Sequence, residues 1–344
     1  MLGSGLNLEG IQYNYQTPYT VGYNFTIEYQ LSQNETISLG YVGNVVYHLE
    51  TFVGSNETSV ILPVSYNPQL YVPFPDFGRG QSYATTQGNS HYNSLQANFE
   101  RRFSGGLSLL ANFTYSSCMT DAYDLLNGTT GTGYRAPYLP GFGVQGDYSV
   151  CNFETPKVFH LSGGYELPFG NGKRFLTNAT GALNAFAGGW DTNFILTEQN
   201  GQPFGIGCPI ATTSNFGCNA LLTGQSIYAG PNNVNQWMNP GAFANPIPAT
   251  TVSSTDFAAL GGQSTQLLGP GFHRLDFSLF KELRTSETTH LEFRAEVFNI
   301  FNTPQFGFPS FTDFTNTATF GRITSVRDGA FDQREIQLAL KFYF

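Results

Sequence analysis

The chain is short of charge. Asp, Glu, Lys and Arg make up 11% of its 344 residues, against roughly a quarter in an ordinary soluble domain, which argues against a cytosolic enzyme. Long hydrophobic runs are also missing: no apolar stretch approaches the roughly 18 residues that a membrane-crossing helix needs. Any membrane association must therefore come from strands. Cations are too few for nucleic acid, because 15 Lys plus Arg within a net charge of −9 form no basic stripe to meet a phosphate backbone. Residues 1 to 20 have neither the basic nor the apolar region of a secretory signal, so the chain reads as a segment of an exported protein. Cysteine is scarce. The four present, Cys118, Cys151, Cys208 and Cys218, form no CxxC and have no His at metal-ligand spacing, which speaks against zinc. No cofactor is expected.

Gly (39), Phe (32) and Tyr (19) are abundant, a composition suited to short strands and tight turns. Period-2 alternation locates the strands. Val21, Tyr23, Phe25, Ile27, Tyr29 and Leu31 alternate with Gly22, Asn24, Thr26, Glu28, Gln30 and Ser32, a register that a helix would not keep. Similar patterns recur at 35–47, 95–103, 107–115, 159–167 and 190–196. Between them, 50–90, 118–155 and 200–270 are rich in Pro, Gly, Asn and Thr and read as long loops. The last of these reads as too polar to be a core. Short turns alternating with long loops is the asymmetry of outer-membrane barrels.

The C-terminal quarter carries charge on one strand face only. Leu275, Phe277 and Leu279 alternate with Arg274, Asp276 and Ser278, and Leu291, Phe293, Ala295 and Val297 alternate with Glu292, Arg294 and Glu296. Charge opposite so much Phe requires water on one side and lipid on the other, whereas two packed sheets around a dry core would not need it. Arg274, Asp276, Glu292, Arg294 and Glu296 are thus candidate lumen charges, read as a cross-strand structural ladder in preference to ligand contacts. The final strand sets Leu338, Leu340, Phe342 and Phe344 on one face. With a short strand near 322–327, the total is about ten, an even number.

Other patterns have bland readings. Ser278-x-x-Lys281 has the spacing of a β-lactamase nucleophile and base, yet a strand puts the two on opposite faces. His48, His91, His160, His273 and His290 are scattered, without a metal motif. Cys118 and Cys151 bracket one long loop, and Cys208 and Cys218 lie within another. In an oxidising compartment the local pairings 118 with 151 and 208 with 218 cost least to close.

Several segments carry a family resemblance. His273-Arg274-Leu275-Asp276-Phe277-Ser278-Leu279-Phe280-Lys281, followed by Leu291 through Asn302, resembles the end of Oar-like TonB-dependent transporters, the receptors with a carboxypeptidase-regulatory-like domain. Asn93-Ser94-Leu95-Gln96 with Arg101-Arg102-Phe103, then Tyr165-Glu166-Leu167-Pro168-Phe169-Gly170, Gly189-Trp190 and Gly201-Gln202-Pro203-Phe204 follow in the same order. The resemblance implies a 22-stranded barrel with a plug and an N-terminal sandwich. Residues 1–344 then read as a single C-terminal barrel segment without either of those domains. The expected fold class is all-β, an antiparallel meander of about ten transmembrane strands forming a partial, half barrel. Inherited curvature favours an open sheet over one re-closed by pairing Val21–Leu31 with Glu335–Phe344.

The function this implies is substrate uptake across the cell outer membrane as part of a longer transporter, with no catalysis. Implied partners are outer-membrane lipid, the barrel-assembly machinery reading Leu338, Leu340, Phe342 and Phe344, an unknown transported substrate, and TonB through the plug. The alternatives are a free-standing small barrel, structural or a passive pore, and a secreted adhesive or carbohydrate-active all-β protein.

Overall fold

The computed structural model describes residue 6 and residues 8–79, 82–122, 136–228, 233–265, 267–284, 288–327 and 332–344. Among the described residues nine long strands pair in chain order as one antiparallel meander: β1 (Tyr19–Ser32), β2 (Glu35–Gly54), β3 (Ser82–Ser104), β4 (Leu107–Thr120), β5 (Lys157–Glu166), β6 (Trp190–Gln199), β7 (Phe272–Arg284), β8 (His290–Phe298) and β9 (Glu335–Tyr343). Two-residue strands at Gly10–Ile11 and Ser149–Val150 pair with β3 and β4. The sheet is open, with β1 and β9 as its edges.

Nine is odd, and the even expectation fails at one place. Residues 322–327 are not a strand of the sheet. They fold against neighbouring loops, with Ser310 N–H donating to Arg322 O, Gly307 N–H to Ser325 O, and Ile323 N–H to Val234 O. Ile323 and Phe320 are buried there, so this apolar pattern is satisfied by loop packing. The count has a geometric consequence: in an antiparallel meander the first and ninth strands run the same way, so β1 and β9 could meet only as a parallel pair.

Connections differ at the two rims. Residues 33–34 and 105–106 make tight turns; Gly105 and Gly106 both have positive φ, 63° and 84°, the left-handed pair that a tight hairpin demands. The β7–β8 link is also short. The fourth connection at this rim, residues 167–189, contains the helix α1 (Gly181–Ala187). At the opposite rim are the connections 55–81, 121–156, 200–271 and 299–334, whose described residues fold together as a crown.

The buried core sits in that crown. Ile206, Ala220, Met238, Ala242, Phe243, Leu267, Phe314 and Phe320 form one cluster, and Ile61, Ala136, Leu139, Phe216, Ala249, Ala259 and Leu260 another. The segment 200–270 is therefore not too polar to be a core. Its apolar residues are sparse, but they meet others from 55–64, 136–144 and 314–323. Side-chain amides hold the backbones at the junctions: Asn215 accepts from Leu62 N–H at 3.1 Å and donates to Val60 O at 2.6 Å. Fully buried Asn56 donates to Phe74 O at 2.8 Å and accepts from Phe74 N–H at 3.0 Å. These bonds satisfy backbone groups that would otherwise be costly to bury.

Candidate functional site

Strand register sorts the sheet into two faces. Tyr29, Ile37, Phe99, Ala111, Leu161, Leu196 and Leu275 stand opposite one another in sequence across seven strands, from β1 to β7. One residue along, on the other face, the row is Glu28, Ser38, Asn98, Asn112, His160, Thr197 and Arg274. Because successive side chains alternate faces, one step of register separates a wholly apolar row from a wholly polar one. The polar row is internally bonded: Asn98 donates to Ser38 Oγ at 3.1 Å, and the His160 ring lies 3.1 Å from Thr197 Oγ1.

The candidate lumen charges lie on this polar face, where Glu292 stands opposite Lys341 of β9 but Arg274 and Asp276 do not stand opposite Glu292, Arg294 or Glu296. Register puts Ser278 opposite Glu296, Phe280 opposite Arg294 and Glu282 opposite Glu292, so Arg274 and Asp276 reach the end of β8 and face no charge on it. Two ion pairs run along strands. Arg274 Nε donates to Asp276 Oδ1 at 2.8 Å, and Arg294 Nε donates to Glu292. Asp276 also accepts from Asn299 N–H at 2.7 Å, closing the end of β8, and the Arg294 guanidinium lies 5.2 Å over the Phe280 ring. Glu296 sits between Ser278 and Gln337. Asp191, Asn193, Lys281, Glu282, Glu292 and Arg294 are among the residues lining a recess of about 390 Å³ near the short-turn rim.

Ser278 and Lys281 are on opposite faces. Ser278 Oγ donates to Asn193 O, whereas Lys281, on the apolar side, donates to the Gly188 and Phe186 carbonyls. The histidines are dispersed: His91 bonds Tyr148, His273 pairs with Glu198, and His290 stacks on Tyr343 at 4.4 Å. His48 has φ 59°, at an irregularity of β2. Among the described residues no three His, Cys, Asp or Glu side chains form a metal-ligand group.

Cys118 stands against Cys151, Cα to Cα 5.4 Å, and Cys208 against Cys218, 5.5 Å, spacings that a disulfide spans. Cys208 and Cys218 belong to the crown, whereas Cys118 is at the crown end of β4 and Cys151 is in the loop that follows it. On β9, Leu338, Leu340 and Phe342 are exposed on one face of the edge strand, with Phe344 stacked on Phe342.

Two recesses in the crown escaped sequence reading. One, about 570 Å³, is lined mainly by apolar groups that include Tyr115, Pro156, Pro203, Leu222, Leu267 and Leu268, with Glu154 bonded to Ser116. The other, about 700 Å³, gathers the amides of Gln12, Asn14, Gln16, Gln87, Asn89 and Gln145. Beside it Asp121 is buried and accepts from Asn89 N–H at 2.5 Å. Burial pushes its carboxyl above the usual range, against the pull of that hydrogen bond. Burial likewise raises Tyr148, which bonds His91 nearby. The only advance sign of this recess was a run of amides in segments too far apart in sequence to connect.

A family model described as an outer membrane beta barrel domain matches residues 2–337. Comparison with curated proteins gives no match. Among solved structures, the chain is similar to the outer membrane transporter YddB from Escherichia coli, at 12% identity and a TM-score of 0.50, over 99% of this chain and 34% of that one. It also aligns with the FrpB iron transporter from Neisseria meningitidis, at 11% identity and a TM-score of 0.43, over 98% and 33%. A further alignment is to FpvA of P. aeruginosa bound to heterologous pyoverdines, at 9% identity and a TM-score of 0.39, over 94% and 27%. The likeness to YddB is one of fold, and this chain spans about a third of that transporter's length.

Proposed function

The chain belongs to the outer membrane beta barrel domain family, and from that premise we propose that it forms part of the wall and crown of a TonB-dependent uptake barrel. The observation that carries this reading is the pair of rows one residue apart, apolar and polar across the same seven strands. The apolar row suits hydrocarbon, and the polar row suits a water-filled lumen. The crown, with its two recesses, then faces the cell exterior and meets the substrate. No catalytic step is proposed.

Strand parity favours a wall over a stand-alone pore. In hydrocarbon every strand edge must be paired, and β1 and β9 run in the same direction. Antiparallel closure therefore takes an odd number of further strands between them. The finer kinship, to Oar-like receptors, is supported by the ordered motifs from Asn93 to Asn302. Contact with TonB through a plug belongs to the same reading. So does recognition of β9, through Leu338, Leu340, Phe342 and Phe344, by the barrel-assembly machinery.

The test uses the whole outer-membrane protein. It is expected to yield a cross-linked adduct with TonB in cells, and this chain alone is expected to show no steady unitary conductance in planar bilayers. Steady conductance without a TonB adduct would make the chain a passive pore instead.

A further inference from the structure

The connection between β5 and β6, residues 167–189, stands apart from the two-residue turns at the same rim. It is well organised: Phe175 N–H donates to Pro168 O at 2.9 Å, Gly172 N–H to Thr177 O at 3.0 Å, and Asn171 N–H to Asn184 Oδ1 at 2.7 Å. Yet Phe169, Phe175, Leu176, Leu183 and Phe186 are all exposed, Phe186 at 79%. A segment that satisfies its own backbone while presenting five large apolar side chains is poorly suited to water.

Its location follows from its anchors. Lys281 and Trp190 stand opposite each other in register, on the face of Phe277 and Leu279. Lys281 is only 5% exposed. Its Nζ lies 4.9 Å over the Trp190 ring and donates to the Phe186 and Gly188 carbonyls at the end of α1. Trp190 Nε1 donates to Phe186 O at 2.9 Å. Two side chains from the apolar face thus hold the helix end on that side of the rim, where Leu183 and Phe186 lie one turn apart. The other end of the connection is tied to the polar face by Lys173, 2.7 Å from Glu166, and that carboxylate raises the Lys173 ammonium above its usual range. Arg174 is left exposed, its guanidinium 5.5 Å over the Phe175 ring.

We propose that residues 167–189 lie in the phospholipid headgroup layer and anchor the short-turn rim there, with Phe186, Leu183 and Phe175 in the acyl boundary and Arg174 at a lipid phosphate. The surface is continuous with the lipid-facing sheet. Its mixture of aromatic rings, a planar cation and a self-bonded backbone matches the chemistry of that layer. The inference rests on the outer-membrane reading of the sheet.

Lipid-resolved quenching separates the two. The whole outer-membrane protein is reconstituted in phosphatidylcholine and phosphatidylglycerol vesicles containing brominated phosphatidylcholine. The emission added over the parent protein is read for Phe186→Trp and for Phe277→Trp, the latter within the apolar face. Both added emissions are expected to fall by about half, with bromine near the headgroup more effective at 186 and bromine deeper in the chain more effective at 277. Quenching at 277 with none at 186 would mean that another protein surface covers the connection, overturning the anchor and leaving the barrel wall intact. Absence of quenching at both would overturn the barrel reading and the anchor with it.

Discussion

Phe25 and Phe320 are the same residue in opposite settings. Phe25, midway along β1, is 67% exposed, and Phe320, in the loop between β8 and β9, is 1% exposed. The pattern extends beyond this pair: apolar side chains on the sheet's outer face are exposed or partly exposed, while the crown buries clusters such as that of Phe243, Phe314 and Met238. Each region buries its apolar groups against what surrounds it. The crown, in water, must build a core from its own loops. The strands have hydrocarbon as their solvent and need no core.

The largest expected effect tests the crown half of this contrast. Phe320→Ala should destabilise the crown by about 3–5 kcal/mol, the usual cost of removing a buried aromatic, read as early loss of near-UV circular dichroism and faster proteolysis between 200 and 271. Phe25→Ala should leave that signal unchanged. Equal losses would dissolve the distinction between the regions.

The sheet half is tested by charge. Phe277→Lys, on the apolar face, should cost roughly 2–4 kcal/mol in lipid, whereas Ser278→Lys, one residue along and facing the lumen, should cost less than about 1 kcal/mol. Urea titration of the protein folded into vesicles measures both, and similar costs at the two positions would mean that the faces are not in different solvents.

The cysteine pairs are proposed to be bridged, because one lies in the crown and the other ties its 121–156 loop to the end of β4, on the oxidising side. Reduction, or Cys118→Ser with Cys151→Ser, should then destabilise the crown by roughly 2–4 kcal/mol while leaving the strands folded. Free thiols titrating in the unreduced, unfolded protein would remove the basis for this.

The smallest effect is a pH dependence of opposite sign at two crown aspartates. The folded pKa of Asp121 is raised by burial, so its contribution is full below the unfolded carboxylate range and is lost as pH rises through the folded value. That of Asp313 is lowered by the Thr315 hydroxyl, so its contribution is present above the unfolded range and lost as pH falls through the folded value. The Asp121 contribution to crown melting temperature should therefore fall as pH rises above the ordinary carboxylate range, and Asp121→Asn should flatten that fall. An identical profile in the variant would show that another group is responsible.

The middle of each of the nine strands was legible in the sequence, because alternation repeats every two residues and needs no knowledge of what lies alongside, but residues 50–54, 82–90 and 118–120, read as loop, are strand. Val21 to Leu31 and Leu275 to Val297 show it without reference to any partner. Residues 322–327 looked similar and were not a strand, since Ile323 found a buried place among loops. The candidate lumen charges share the polar face of the sheet, and their register does not set Arg274 and Asp276 opposite Glu292, Arg294 or Glu296. Face depends on the parity of a residue number, whereas partnership depends on inter-strand stagger, which here sets Arg294 against Phe280 and leaves Arg274 to its neighbour Asp276.

By itself, then, the sequence determined where the nine strands are centred, which side of each is apolar, and that such a chain suits a membrane. These properties follow from the backbone's two-residue repeat acting on local composition. Only the tertiary structure decided the odd strand count, the crown's core, the amide-lined recess and the burial of Lys281 beneath α1. Each of those depends on residues far apart in the chain meeting at hydrogen-bonding or van der Waals distance: Leu62 with Asn215, Ile61 with Ser253, Phe186 with Lys281. No local pattern encodes such encounters, because many loop paths have similar local energies and only the packed whole selects among them.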